Sequence, residues 1–429
     1  MTYKTFTLGC KVNAYESDAV ASLLNTRGYH EANETESVDV IIINTCSVTS
    51  TSDQKSRQHI RKFHKLYPTA IIVVMGCYAQ VDPESVRSLP GVAIVVGASD
   101  RHRIPDLIEQ YKQHSQVIST VAKNERDFDY EDFGVTSFTH NSRAYLKIQD
   151  GCDNFCSYCI IPYSRGKLRS RPVASIITEI KDLVGHGYKE IILTGIHTGG
   201  YGKDLNGFTF SNLVETILHD VPDLFRLRIS SIEENEVTPD LLSIMAKSSV
   251  MARHLHLPLQ SGSSGVLKRM NRKYDTASFL SKVKMIRDYL PDIALSTDVI
   301  VGFPGETEEE FAETYNFIKQ ANFMRLHVFP FSPRSGTSAA RMKNQVAPEV
   351  KKERVNQLIA LSEALEADYE KKFVGKSVEV IFEEYDDTHH LAIGHTSNYL
   401  VAQYPSPIAL HGQIKDIIFQ NYTHDINKK

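Results

Sequence analysis

Residues 150–167 read DGCDNFCSYCIIPYSRGK and set Cys152, Cys156 and Cys159 at CxxxCxxC spacing. Three soft thiolates this close together are suited to binding metal, and no fourth cysteine stands beside them. A structural zinc site takes four protein ligands, so zinc would need a distant histidine to complete the set. A 4Fe-4S cluster held by the same three cysteines would keep one iron open for substrate or cofactor. The other three cysteines, Cys10, Cys46 and Cys77, stand in LGC, NTC and MGC, each at the end of an apolar run. Six cysteines in 429 residues point to metal or redox chemistry rather than to a disulfide framework.

The elements around these residues must bring them together. Over the first hundred residues, short apolar runs alternate with amphipathic stretches: KTFTL, YESDAVASLLNTRG, VDVIIIN, SDQKSRQHIRKFHKL, AIIVVM and VAIVV. That order predicts a parallel α/β sheet. The carboxyl ends of parallel strands share one edge, so three thiols spaced one β/α unit apart are expected to converge there. A second series starts at Arg143, with strands expected at AYLKIQ, EIILTG, FRLRIS, HLHLPL, ALSTDVIV and RLHVFPF, and helices near 173–187, 210–219, 275–290 and 307–321. Six β/α units imply a barrel or partial barrel. Its first strand runs straight into the CxxxCxxC loop, at the mouth where barrel enzymes carry their chemistry.

Thr307 and Glu310 form T-x-x-E, which reads as a helix capping box and not as an acidic metal site. Pro348 opens a long helix with Val355, Leu358, Leu361, Leu365 and Tyr369 on one stripe, and Gly375 is its expected stop. SVEVIFEEY, NYLVAQY and DIIFQNY alternate like the strands of a small β-barrel. The expected class is α/β in five parts: an N-terminal parallel α/β domain at 1–110, a linker at 111–142, a central partial (β/α)6 barrel at 143–345, a connecting helix at 346–372 and a small β-barrel at 373–429.

At 41% hydrophobic and 23% charged residues, the chain is expected to be globular and soluble. Its start lacks a basic segment followed by an apolar one, and runs such as VDVIII are too short to span a bilayer. A cytoplasmic protein without membrane partners is the expectation. A formal net charge of -4 argues against a wholly basic nucleic-acid coat and leaves room for a local basic stripe.

An aromatic residue, Tyr158, precedes the last cysteine of CxxxCxxC, and this pattern resembles the radical S-adenosylmethionine superfamily. The stretches DGCDNFCSYCIIPYSRGKLRSRP, LTGIHTGGYG, RISSIE, HLHLPLQSGSSGVLKRMNRKY and STDVIVGFPGETEEEF, together with Cys10, Cys46 and Cys77, resemble its methylthiotransferases. The resemblance runs over nearly the whole chain and includes a terminal TRAM-like barrel. It implies that Cys152, Cys156 and Cys159 hold a 4Fe-4S cluster whose open iron chelates S-adenosylmethionine. Reduction, from an implied low-potential electron donor, then cleaves the cofactor to methionine and a deoxyadenosyl radical, chemistry that no side chain supplies. Cys10, Cys46 and Cys77 are implied to hold a second 4Fe-4S cluster that carries a sulfur species. One S-adenosylmethionine methylates this sulfur, and another supplies the radical that removes a hydrogen from the substrate.

The same resemblance puts Tyr158 near the cofactor's adenine, the Gly195 backbone at its amino group, and Ile300 and Gly302 of DVIVGFPG against the adenine. Glu233 of RISSIE and Gln260 and Ser261 of PLQSG end the third and fourth barrel strands, which aims them at the same mouth. No catalytic acid or base is identified.

In TLGCKVNAYES, Lys11-Val12-Asn13 follow the cysteine where isopentenyladenosine tRNA enzymes usually show Gln-Met-Asn. This stretch resembles the branch acting on threonylcarbamoyladenosine, the modified base beside certain tRNA anticodons. A carboxylate on that base would favour a basic contact such as Lys11. A single-stranded loop allows the base to be splayed out and stacked on aromatics, as access to a ring carbon requires. Arg165, Lys167, Arg169 and Arg171 form the strongest basic run and are the expected phosphate contacts. The terminal module opens with acidic EVIFEEYDD and no arginine follows Arg354, so tight independent RNA binding by it is not expected. Two other readings stay open: a methylthiotransferase of a ribosomal-protein aspartate, and an iron-sulfur scaffold without a substrate radical.

Overall fold

The first apolar runs build one parallel sheet from β1 (Thr2–Thr7), β2 (His30–Glu31), β3 (Val40–Thr45), β4 (Ile71–Gly76), β5 (Val92–Val95) and β6 (Ile118–Ser119). The strand order is β2-β1-β3-β4-β5-β6 in this computed structural model, which describes residues 1–47, 50–121, 129–134 and 142–420. The central strands are covered on both faces, which is why Val40–Ile43 and Ile72–Met75 read as continuous apolar runs rather than alternating ones. Helices Lys11–Thr26 and Ser50–Leu66 follow β1 and β3. Parts of the expected linker, 122–128 and 135–141, and the end of the terminal module, 421–429, lie outside the described residues.

The second series gives β7 (Arg143–Asp150), β8 (Arg169–Ser170), β9 (Glu190–Gly195), β10 (Arg226–Ile229), β11 (His254–His256), β12 (Ala294–Val301) and β13 (Arg325–Pro330). Pairs β7-β9, β9-β10, β11-β12 and β12-β13 are all parallel. A backbone bridge from Leu227 to Met251 carries the series from β10 to β11. The six strands therefore form one curved run, and β8 folds back antiparallel against the end of β7. Helices Val173–Gly185, Phe210–Asp220, Thr276–Tyr289 and Glu308–Ala321 match the expected crossovers. The Thr307 hydroxyl accepts from the Glu310 backbone N–H at 3.2 Å and the Glu310 carboxylate accepts from the Thr307 N–H at 3.1 Å, so the acidic stretch is a capping box.

Pro348–Lys371 forms the long helix, buried along Leu358, Leu361 and Tyr369. The terminal module is a four-stranded antiparallel sheet of β14 (Ser377–Asp386), β15 (Leu391–Thr396), β16 (Val401–Pro405) and β17 (Ile414–Ile418), in the order β16-β15-β14-β17. Three of these strands were expected. The fourth, β15, carries the mixed run LAIGHT, in which Gly394 packs directly on the β14 backbone and a Cβ there would meet Ile381 O at 2.2 Å.

Candidate functional site

Cys10, Cys46 and Cys77 follow three strands, β1, β3 and β4, that are immediate neighbours in the sheet. Cys10 begins helix Lys11–Thr26, Cys46 follows Thr45 directly, and Cys77 opens the short helix Cys77–Val81. Two glycines allow the approach. Gly9 has φ +111°, and a Cβ on it would lie 2.9 Å from Cys46 Cβ. Gly76 has φ +97°, and a Cβ would lie 2.3 Å from Asn44 Oδ1. The Asn13 amide donates to Leu8 O at 2.8 Å and to Thr45 O at 3.1 Å, tying the loops of Cys10 and Cys46 together.

Cys152, Cys156 and Cys159 leave the carboxyl end of β7, as the sequence implies. The Cys152 N–H donates to Gly166 O at 3.1 Å and the Cys159 N–H to Cys156 O at 3.0 Å, which folds the loop back on itself. Burial, reinforced by Cys156 and Cys152, pushes the Cys159 thiol up to about 12. Burial also raises the Cys156 thiol, and neighbouring thiols of this kind are suited to a multivalent cation that displaces their protons. Arg272 donates to Cys156 Sγ at 3.4 Å and is ion-paired to Glu233. His197 Nε2 lies 2.7 Å from Glu236 Oε1; burial opposes protonation of this histidine, but the neighbouring Cys152 and the Glu236 carboxylate raise its pKa to about 9. Among the described residues, no three His, Cys, Asp or Glu side chains close on a single-ion site.

The expected cofactor residues divide. Tyr158 and Ile300 pack on one apolar cluster with Phe303 and Phe331, at the cysteine loop. Gly195 ends β9 in the wall of a cavity that Cys10 also lines, with Gln149 against it. Gly302, at φ +69°, gives its N–H to Glu306 Oε1 at 2.8 Å and packs on Lys351. Gln260 bridges back to β12, its N–H on Asp298 O at 2.8 Å. Ser261 turns away from the mouth: it is fully buried, with its hydroxyl 3.2 Å from Thr314 Oγ1 on helix Glu308–Ala321.

The basic run is a correction. Arg165 and Arg171 are fully buried and Arg169 is 7% exposed, so none of the three presents a phosphate-facing guanidinium. Arg165 pairs with Glu16, and its Nε donates to Cys77 Sγ at 3.1 Å. Arg169 lies 3.1 Å from Asp150, and Arg171 pairs with Glu179. Lys167 alone of the four is exposed. Glu16 also meets Arg101 and, at 2.8 Å, Lys147. Burial alone would raise its pKa, but Arg101, Arg165 and Lys147 hold it well below the usual carboxylate range. Each of these cations has a carboxylate partner because an unpaired buried charge is costly. Sequence reasoning missed this network; an acid on the apolar face of YESDAVASLL and a lysine inside AYLKIQD were the available signals.

A cavity of about 690 Å³ opens between Cys10 and the strand ends of the barrel. Gly9, Cys10 and Lys11 line one side, and Thr194, Gly195, Ser230 and Asp298 line the barrel side. Tyr399 of the terminal module and Phe329, 48% exposed, add aromatic walls. The arrangement offers a pocket for a planar, polar group between one cysteine trio and the barrel mouth.

Comparison with known proteins agrees with this architecture. Residues 2–97 match the uncharacterized protein family UPF0004, and residues 146–318 match the radical SAM superfamily. The chain is 46% identical to threonylcarbamoyladenosine tRNA methylthiotransferase MtaB of Bacillus subtilis (strain 168), covering 95% of this chain and 91% of that one. It is 36% identical to tRNA-2-methylthio-N(6)-dimethylallyladenosine synthase of Caldicellulosiruptor saccharolyticus, over 92% and 85% of the two chains. Among solved structures, the radical S-adenosylmethionine methyltransferase TsrM of Kitasatospora setae superposes with a TM-score of 0.60 at 13% identity, over 85% and 89% of the chains, a likeness of fold. The chain belongs to the methylthiotransferase family of radical S-adenosylmethionine enzymes. Its cofactors are S-adenosylmethionine and 4Fe-4S clusters.

Proposed function

We propose that this chain methylthiolates threonylcarbamoyladenosine in tRNA, at the adenine ring carbon between the two pyrimidine-ring nitrogens. Cys152, Cys156 and Cys159 hold the cluster that binds S-adenosylmethionine, and Cys10, Cys46 and Cys77 hold the cluster that carries sulfur. With both clusters and S-adenosylmethionine bound, these groups supply an open iron, a one-electron reductant, a methyl group and the agent that abstracts hydrogen from the substrate. The protein's own residues orient and enclose. Tyr158 and Ile300 form an apolar face for the cofactor's adenine, the Gly195 backbone meets its amino group, and Arg272 steadies both Glu233 and the Cys156 loop. Phe329 and Tyr399 give the extruded base a stacking surface, and Lys167 is the phosphate contact kept from the basic run.

The observation that carries this reading is the single cavity with Cys10 on one wall and Gly195 on the other. A base bound there lies between the source of sulfur and the cofactor. In this reading the work divides over the N-terminal α/β domain, the partial barrel and the terminal module. No helix among the described residues is long and apolar enough to cross a membrane. The reading is of a cytoplasmic enzyme served by a low-potential electron donor.

Nucleoside mass spectrometry of tRNA from cells with and without the gene tests the substrate. Loss of methylthio-threonylcarbamoyladenosine, with the unmethylthiolated nucleoside accumulating, is the expected result. An unchanged tRNA profile would contradict the assignment.

A further inference from the structure

The cavity between Cys10 and the barrel mouth holds a cation without a partner. Lys11 is half-buried in its wall, and its ammonium makes no hydrogen bond or ion pair among the described residues. A positive group in that setting gains from an anion.

The same cavity also carries a group of imidazoles. His254, His256 and His327 line the same cavity. His254 Nε2 and His256 Nδ1 both meet Ser296 Oγ, at 2.8 and 2.9 Å. That leaves His254 Nδ1 buried with no hydrogen-bond partner, on a side chain only 5% exposed. Lys11 lines the same cavity as both His254 and His327. His256 faces Asp298 at 3.3 Å and Arg325 pairs with Glu366, so those groups are already engaged. An unpaired ammonium and an unpaired buried imidazole nitrogen therefore border one pocket, beside its aromatic walls.

Resting on the function proposed above, we propose that Lys11, with His254 and His327, binds the carboxylate of the threonylcarbamoyl substituent and so selects an acidic group over an uncharged one on the adenine's exocyclic nitrogen. Selection follows because a site built for an anion leaves its own cation buried and unpaired when a neutral group enters, a penalty larger than the loss of apolar contact. The aromatic walls hold the base, and the cationic end reads its substituent.

The test compares anticodon stem-loop RNA carrying threonylcarbamoyladenosine with the same RNA carrying its methyl ester, using cluster-reconstituted full-length enzyme. Wild type should prefer the acid by roughly a hundredfold in kcat/KM, mostly through KM. Lys11→Met should shrink that preference below roughly tenfold, and Lys11→Arg should restore part of it. His327→Asn, on the exposed strand β13, should shrink it as well and serves if the Lys11→Met protein does not fold. A defect that is merely structural lowers both substrates alike and leaves the ratio intact. Equal turnover of acid and ester by wild type, or a full preference kept by both Lys11→Met and His327→Asn, would overturn the inference while leaving the reaction assigned. A wild-type enzyme that methylthiolates neither RNA overturns the assigned function and this inference together.

Discussion

Gly9 shows how closely single residues control the first cysteine trio. At φ +111° it holds a backbone conformation that side chains rarely adopt, and the space for a Cβ is filled by Cys46. Gly9→Ala should therefore cost about 1–3 kcal/mol of backbone strain and part Cys10 from Cys46. The expected protein keeps reductive cleavage of S-adenosylmethionine but loses up to half of its iron and most methylthiolation. Iron and sulfide analysis beside a deoxyadenosine assay checks this; a variant with full iron and full product contradicts it. The cysteine trios were legible because their spacing is chemical and local. The fate of Arg165, Arg169 and Arg171 was not, because their partners Glu16, Asp150 and Glu179 are contributed by other elements, and Glu16 comes from the other side of an interface that only the folded chain creates.

At the scale of elements, helix Lys11–Thr26 carries most of the coupling between the first sheet and the barrel. Its Tyr15 and Ala19 belong to the barrel's own hydrophobic cluster, and Tyr15 donates to Glu179 at 3.1 Å. Asp18 on the same helix has its carboxyl pushed up to about 7, by burial first and then by Glu31. Between the ordinary value of 3.8 and about 7, the folded protein holds a proton that the unfolded chain has released, so this group makes stability fall as pH rises. Asp18→Asn should remove that slope. Its thermal midpoint should equal wild type near pH 4 and exceed it at pH 8, with a gain in stability of up to about 4 kcal/mol. A difference independent of pH would count against this account. Strands and helices themselves were largely readable from the sequence, since β3, β4 and the barrel strands are apolar runs of strand length. β15 escaped because LAIGHT alternates around a glycine whose role is to admit the neighbouring backbone, a requirement set by pairing and not by pattern.

At the scale of the molecule, three modules meet at one cavity, each held by buried ion pairs. Arg165 carries the barrel's cluster loop to Glu16 and Cys77, and Arg334 reaches Asp53 on the helix after Cys46. Arg228, paired with Glu190 at 2.7 Å, donates to Ser397 O at 3.0 Å and lies 3.8 Å from the centre of the Tyr399 ring, which fixes the terminal module against the barrel. Tyr399 reaches the cavity from that docked loop, so the terminal module helps to shape the pocket even though it is poor in positive charge. The central claim is a division of labour: one cysteine trio serves cofactor cleavage and the other serves sulfur transfer. The most direct measurement quantifies deoxyadenosine and methylthio nucleoside in the same reconstituted reaction on threonylcarbamoyladenosine stem-loop RNA. Cys156→Ala should yield neither, and Cys46→Ala should yield deoxyadenosine without product. Full multiple-turnover product from Cys46→Ala would contradict the account.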